Sequence, residues 1–279
     1  MTLRRQDCES TILESAEKEF DMPAHWSRTY PRNFFEYNLS DFGLPSAAEI
    51  LEDVNKIVEE IGGVRGWRAK GKESNVHKGF SLVYNPEIEM TAFGTLGDYR
   101  LTQNFSRSVN VGGIDTLRNS YHDSYAFSEV HPVVKKHLRI LNHLNMQLTR
   151  SRCAFIYTDK KEEYELRAHK DEFPYQNLRI NIPLQTCPEF VMEIRDQDEY
   201  GNSLNMIKHL EVGKLYVWNT RIPHSVYAAE KPSSDLPRIH LVLGLMPWIN
   251  INGDEITKSE FFGIHPFKLL EDGHVFKQA

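Results

Sequence analysis

The sequence predicts a mainly β protein with flanking helices, its core built from short antiparallel strands as a sandwich or barrel. Three observations lead there. After residue 150 apolar and polar residues alternate with period two in a series of short segments. Turn residues separate those segments at the spacing typical of antiparallel all-β folds. Apolar residues at helical spacing occur in the first half, so its helices are expected to pack on the outside of the sheet.

Taken in order, Ser46 and Glu49 form a capping box ahead of Ile50, Leu51, Val54, Ile57 and Val58, and Gly62 and Gly63 end that helix. Residues 63–126 carry many Gly, Asn, Ser and Tyr and read as loops with short strands. A second helix is expected over about 128–150, with Pro132 in its first turn and Val134, Leu138, Leu141 and Leu148 on one face. Strands are expected at 152–158 (RCAFIYT), 178–184 (LRINIPL), 190–194, 204–209, 215–218, 225–229 and 238–245, with a turn at 211–214. No repeat or linker is visible. The expected organisation is one domain over 1–279: a helix-rich part at 1–150, a β core at 151–248, and a tail at 249–279 that crosses back over the sheet.

The chain has 279 residues, 40% hydrophobic and 26% charged, which excludes a disordered or low-complexity chain. Its net charge of −6 argues against a nucleic-acid partner, because phosphate contacts need a basic surface. It also means that any bound anion must be held by locally placed arginines. The three cysteines, Cys8, Cys153 and Cys187, form no CxxC pair, and the charged N-terminus has no apolar leader segment. Reduced thiols and a cytoplasmic location are expected, with no membrane partner. A homodimer is expected only from the frequency of twofold oligomers.

The chemistry concentrates in the second half. His169 and Asp171 stand two apart, so on an extended segment both side chains face one way. His224 follows in Asn219-Thr220-Arg221-Ile222-Pro223-His224-Ser225. Two histidines and one carboxylate on one side of a metal leave the other side open, which is the facial triad of non-haem Fe(II) oxygenases. Arg238 and His240 then alternate with apolar residues on a strand, so both point inward. A buried arginine needs an anion, and beside a metal triad a dicarboxylate cosubstrate would supply it.

Other candidates carry less pattern. Arg118, Tyr121, His122 and Asp123 lie in a polar-aromatic run that suits a zwitterionic amino acid, against the reading of an ordinary ordered loop. Asn104, Arg107, Arg152 and Trp218 are further pocket candidates, although Trp218, like Tyr157, also reads as a core aromatic on a strand. His131, His137 and His143 fall six apart, share no helix face, and are expected on the surface. The methionines are scattered and read as packing residues.

The segments HKDEFPYQNLRINIPLQT (169–186) and VGKLYVWNTRIPHSVYAAEKPSSDLPRIHLVLGL (212–245) resemble the Fe(II)/2-oxoglutarate-dependent oxygenases, within them the aspartyl/asparaginyl β-hydroxylase-like branch that includes hydroxylases of free amino acids. The resemblance covers roughly residues 150–247. It implies a double-stranded β-helix (jelly roll, cupin-like) and a 2-oxoglutarate-dependent dioxygenase using Fe(II), 2-oxoglutarate and O2. His169, Asp171 and His224 would bind iron, and Arg238 would pair with the distal carboxylate of 2-oxoglutarate, with His240 lining the pocket. Arg179 and Asn181 occupy the positions of an R-x-H pair that contacts the cosubstrate in that branch, with Asn replacing the His. Asp171 sets the chain apart from relatives that lack the triad carboxylate and points to hydroxylation of a free amino acid or an amino-acid-derived metabolite, with succinate and CO2 as co-products. The alternatives are a peptide or carrier-bound substrate, a cupin-like metal lyase or isomerase that does not use 2-oxoglutarate, and a metal-free jelly-roll binding module.

Overall fold

Alternation in the strand Leu178–Gln185 organises the molecule: Leu178, Ile180, Ile182 and Leu184 fall on one face and Arg179 and Asn181 on the other, and all are buried. Such a strand needs a layer on each side. The computed structural model describes residues 3–4, 30–69, 72–84, 129–157, 165–171, 174–175, 177–196, 203–252 and 255–277. In chain order the strands are β1 (Leu3–Arg4), β2 (Phe34–Asn38), β3 (Arg65–Ala69), β4 (Lys72–Ser81), β5 (Val83–Tyr84), β6 (Glu129–Val130), β7 (Gln147–Ile156), β8 (Glu165–His169), β9 (Leu178–Gln185), β10 (Phe190–Ile194), β11 (Met206–His209), β12 (Lys214–Trp218), β13 (His224–Ala228), β14 (Arg238–Met246), β15 (Ile249–Asn252) and β16 (Glu255–Lys258). The α-helices are α1 (Ala47–Glu60), α2 (Pro132–His137) and α3 (Pro266–Glu271).

A seven-stranded antiparallel sheet runs β2-β12-β9-β14-β7-β4-β3, and a four-stranded sheet runs β11-β10-β13-β8. From β7 to β14 the chain passes back and forth between these two sheets, which is the winding of a double-stranded β-helix. The expected β core is therefore present, and β2, β3 and β4 of the first half extend its larger sheet. β15 and β16 form a small sheet with β1. No helix among the described residues is long and apolar enough to cross a membrane.

The larger sheet buries its second face under helices. α1 begins at the expected capping box: Glu49 N–H donates to Ser46 Oγ, and Ser46 N–H donates back to Glu49. Its Ile50, Val54 and Ile57 are fully buried with Ile180, Leu215, Val217, Leu241 and Leu243 of the sheet. Each such side chain contributes about 1.5–3 kcal/mol. α3 adds Phe267, Leu269 and Leu270 to the same core.

The second helix is not the long one expected at 128–150. α2 ends at His137, Leu138 turns extended (φ −80°, ψ 92°), a 3-10 turn follows over Arg139–His143, and β7 begins at Gln147. The cause is tertiary. Buried Asp53 of α1 accepts from the Arg139 backbone N–H at 2.9 Å and from its guanidinium at 2.8 and 2.9 Å, which draws the chain off the helical path. His131 is likewise not a surface residue. It is buried, and its Nδ1 caps α2 by accepting from Val133 N–H at 3.2 Å. His137 pairs with Glu60 of α1 at 2.6 Å.

Candidate functional site

β8 and β13 are adjacent antiparallel strands, and their register pairs His169 with His224. The two rings lie 4.4 Å apart between centroids. Asp171, just past the end of β8, is fixed by its own backbone, whose N–H donates to Thr220 O at 2.8 Å. The turn that presents His224 is locally encoded: Asn219 Oδ1 accepts from Arg221 N–H at 3.1 Å, and Asn219 O accepts from Ile222 N–H at 2.9 Å. Arg221 also donates to Asp171 O at 3.3 Å, locking the two loops together.

The nitrogen that His224 offers follows from its partner. Its Nδ1 lies 3.0 Å from Ile222 O, a group that can only accept, so Nδ1 carries the proton and Nε2 keeps its lone pair. Nε2 lies 3.4 Å from Asp171 Oδ2, and His169 Nε2 lies 3.6 Å from the same oxygen. One potential ligand atom from each of the three residues falls within 4.8 Å of the others. Ligands about 2.1 Å from a common ion, at right angles, stand about 3 Å apart, so the spacing suits a shared metal better than direct hydrogen bonds. Two imidazoles and one carboxylate form the donor set expected for Fe(II).

Arg179 of β9 lines the cavity beside the triad. Its guanidinium forms an ion pair with Asp171 through Oδ2. That contact orients the carboxylate and offsets part of its charge.

The cavity beside the triad lies between the two sheets and encloses about 710 Å³, including space open to solvent. The larger sheet contributes Arg152, Arg179, Asn181, Trp218, Arg238 and His240 to its wall. The smaller sheet contributes Met192, His224 and Val226. Arg238 donates to His240 Nδ1 at 3.0 Å. A guanidinium cannot accept, so the His240 proton sits on Nε2. Burial, reinforced by the Arg238 charge, holds His240 well below the usual imidazole range, and the ring is neutral. His77 of β4, on the same wall, is lowered by the same two causes.

The structure thus brings together His169, Asp171, His224, Arg179, Asn181, Arg238, His240, Arg152 and Trp218. Asn104, Arg107, Arg118, Tyr121, His122 and Asp123 lie outside the described residues. His77 was missed by sequence reasoning. Its signal would have been the extended run Lys72–Ser81, had that been recognised as a sheet strand.

The sequence matches no family model and no curated protein. Among solved structures the chain is similar to a prolyl hydroxylase from Trichoplax adhaerens in complex with a hypoxia inducible factor peptide fragment, at 14% identity, covering 84% of this chain and 91% of that one, with a TM-score of 0.40. It is also similar to a 2OG-Fe(II) oxygenase family oxidoreductase from Burkholderia pseudomallei, at 11% identity, 80% and 90% coverage and a TM-score of 0.40. A third is the epimerase SnoN in complex with Fe3+, alpha ketoglutarate and nogalamycin RO, at 13% identity, 79% and 81% coverage and a TM-score of 0.38.

Proposed function

We propose that the chain is a single catalytic unit, an Fe(II)/2-oxoglutarate-dependent dioxygenase that hydroxylates an unactivated C–H bond of a free amino acid or an amino-acid-derived metabolite. The observation that carries this reading is the convergence of His169, Asp171 and His224 at one edge of a cavity whose wall also presents buried Arg238. Fe(II) with 2-oxoglutarate and O2 supplies the oxidising power for the C–H bond, releasing succinate and CO2. His169, Asp171 and His224 hold the metal. Arg179 holds Asp171 in place, and the Ile222 carbonyl holds His224 in its ligating tautomer. Arg238 pairs with the distal carboxylate, where its planar fork suits two-point binding, and the His240 Nε2–H is placed to donate to the same group.

The test is succinate formation from 2-oxoglutarate with Fe(II) and ascorbate, screened across free amino acids and then short peptides. Turnover that needs His169, His224 and Arg238 supports the reading. Metal binding with no 2-oxoglutarate turnover would instead favour a metal lyase or isomerase that does not use 2-oxoglutarate. Absence of Fe(II), Mn(II) or Ni(II) affinity would leave a binding module.

A further inference from the structure

The cavity wall holds more positive charge than one dicarboxylate uses. In a chain with net charge −6, three arginines, Arg152, Arg179 and Arg238, line it, and none of the described residues lining it is Asp or Glu. Arg179 is engaged with Asp171 at the triad, and Arg238 with His240.

Arg152 lies on a different level of the sheet from Arg238. On β7 it pairs with Val242 of β14, whereas Ile156 of β7 pairs with Arg238. Four residues along a strand separate those two levels by about 13 Å. From the other side of β14, Asn181 of β9 also pairs with Val242. Arg152 and Asn181 therefore flank Val242 in one cross-sheet row, their backbones about 10 Å apart. Asn181 is only 7% exposed, and its Nδ2 has no hydrogen-bond partner among the described residues. On the neighbouring strand β12, Tyr216 pairs with Asn181, and Trp218 follows two residues on. Trp218 is 5% exposed and its Nε1 also has no partner among the described residues, while its ring meets that of His224 edge-on at 5.6 Å. Buried N–H groups left without an acceptor are costly, and these two line a cavity that can bring them one.

We propose that the substrate is an anion: a carboxylate-bearing small molecule whose acid group is seated over Val242 by Arg152 and the Asn181 N–H, with the Trp218 N–H taking a second substrate oxygen. The site is a second acid receptor, four residues along β14 from Arg238 and next to the row of Arg179. The division of labour between the two receptors rests on the oxygenase reading. It restricts the substrate to acids and sets the reacting C–H at a fixed reach from the acid group.

The experiment titrates the Fe(II)-loaded chain anaerobically by calorimetry, first with 2-oxoglutarate, then, with 2-oxoglutarate in place, with the standard L-amino acids, short monocarboxylic acids and the primary carboxamide of each. At least one acid should bind at least about tenfold more tightly than its carboxamide, since an amide removes the charge that a guanidinium recognises. Arg152→Gln should weaken that acid at least about tenfold, and Arg152→Lys should recover part of the loss. The 2-oxoglutarate titration of Arg152→Gln checks that the cavity is intact. An acid and its amide binding equally, acid affinity unmoved in Arg152→Gln, or no acid binding at all would overturn the proposal. Failure of the first titration in the parent chain would overturn the oxygenase reading instead.

Discussion

Arg238 donates a hydrogen bond to Nδ1 of His240 at 3.0 Å, two residues along one strand, and thereby sets the tautomer of a buried imidazole. A cation and a neutral N–H donor then face the same end of the cavity, a pairing suited to one carboxylate. Removing the guanidinium in Arg238→Ala should raise the KM for 2-oxoglutarate about 30- to 4000-fold, the range for truncating one member of a buried charge pair. Arg238→Lys should fall between, because it keeps the charge and loses the fork. Steady-state succinate assays against 2-oxoglutarate concentration decide it, and an unchanged KM would remove Arg238 from the cosubstrate site.

His169→Ala and His224→Ala should each abolish turnover, both with substrate and without it. They should also weaken Fe(II) or Mn(II) binding at least about tenfold, since losing even an outer partner of a metal ligand costs about 10- to 100-fold. Wild-type turnover in either variant contradicts the triad assignment.

Asp53→Ala tests the contact that ends α2. Asp53 is buried, but Arg139 keeps 36% of its side chain exposed and retains Glu49 and Glu52 as neighbours. The expected cost is therefore about 2 kcal/mol rather than the 3–5 of a fully buried pair. For a chain of this size that is a fall in Tm of about 4–8 °C. Metal affinity should not move, since this contact lies in the helical layer.

Acid should destabilise the fold before its carboxylates titrate. His77, His131 and His240 are all lowered, first by burial and, for His77 and His240, also by Arg238. The unfolded chain takes up protons near pH 6.5 while these folded imidazoles stay neutral, so stability present above about pH 6.5 is lost as pH falls. Thermal melts of the metal-free chain between about pH 7 and 5 should show Tm dropping. His131→Asn keeps a capping acceptor and should flatten part of that slope. A Tm that rises on acidification would contradict it.

Burial pushes the thiols of both Cys153 and Cys187 up, and for Cys187 the nearby Glu189 adds to the effect. Both should resist iodoacetamide in the native chain and react after unfolding, as read by peptide mass spectrometry.

Much of the site is local in the chain. His169 and Asp171 share one short segment, the turn before His224 is written in Asn219 and Pro223, and Arg238 with His240 declares its inward face by alternation. The β core follows from period-two segments, and strands such as Phe190–Ile194 appear with the expected ends. The failures are of the opposite kind. The break at Leu138 depends on Asp53, far away in sequence, and helical periodicity across 128–150 gives no hint of it. His131 looks like a surface residue until its capping bond is seen. The pairing of Arg179 with Asp171 needs the fold of β8 against β9 and its loop, which no spacing rule supplies.

One strand ties these themes together. β14 is buried along its whole length, with Ile239, Leu241, Leu243 and Leu245 against the helical layer and Arg238, His240 and Val242 against the cavity. It is a party wall between two rooms, and neither side can be remodelled without disturbing the other. Redesign of specificity has more freedom at β4 and β7, nearer the margin of the larger sheet, where His77 and Arg152 reach the same cavity.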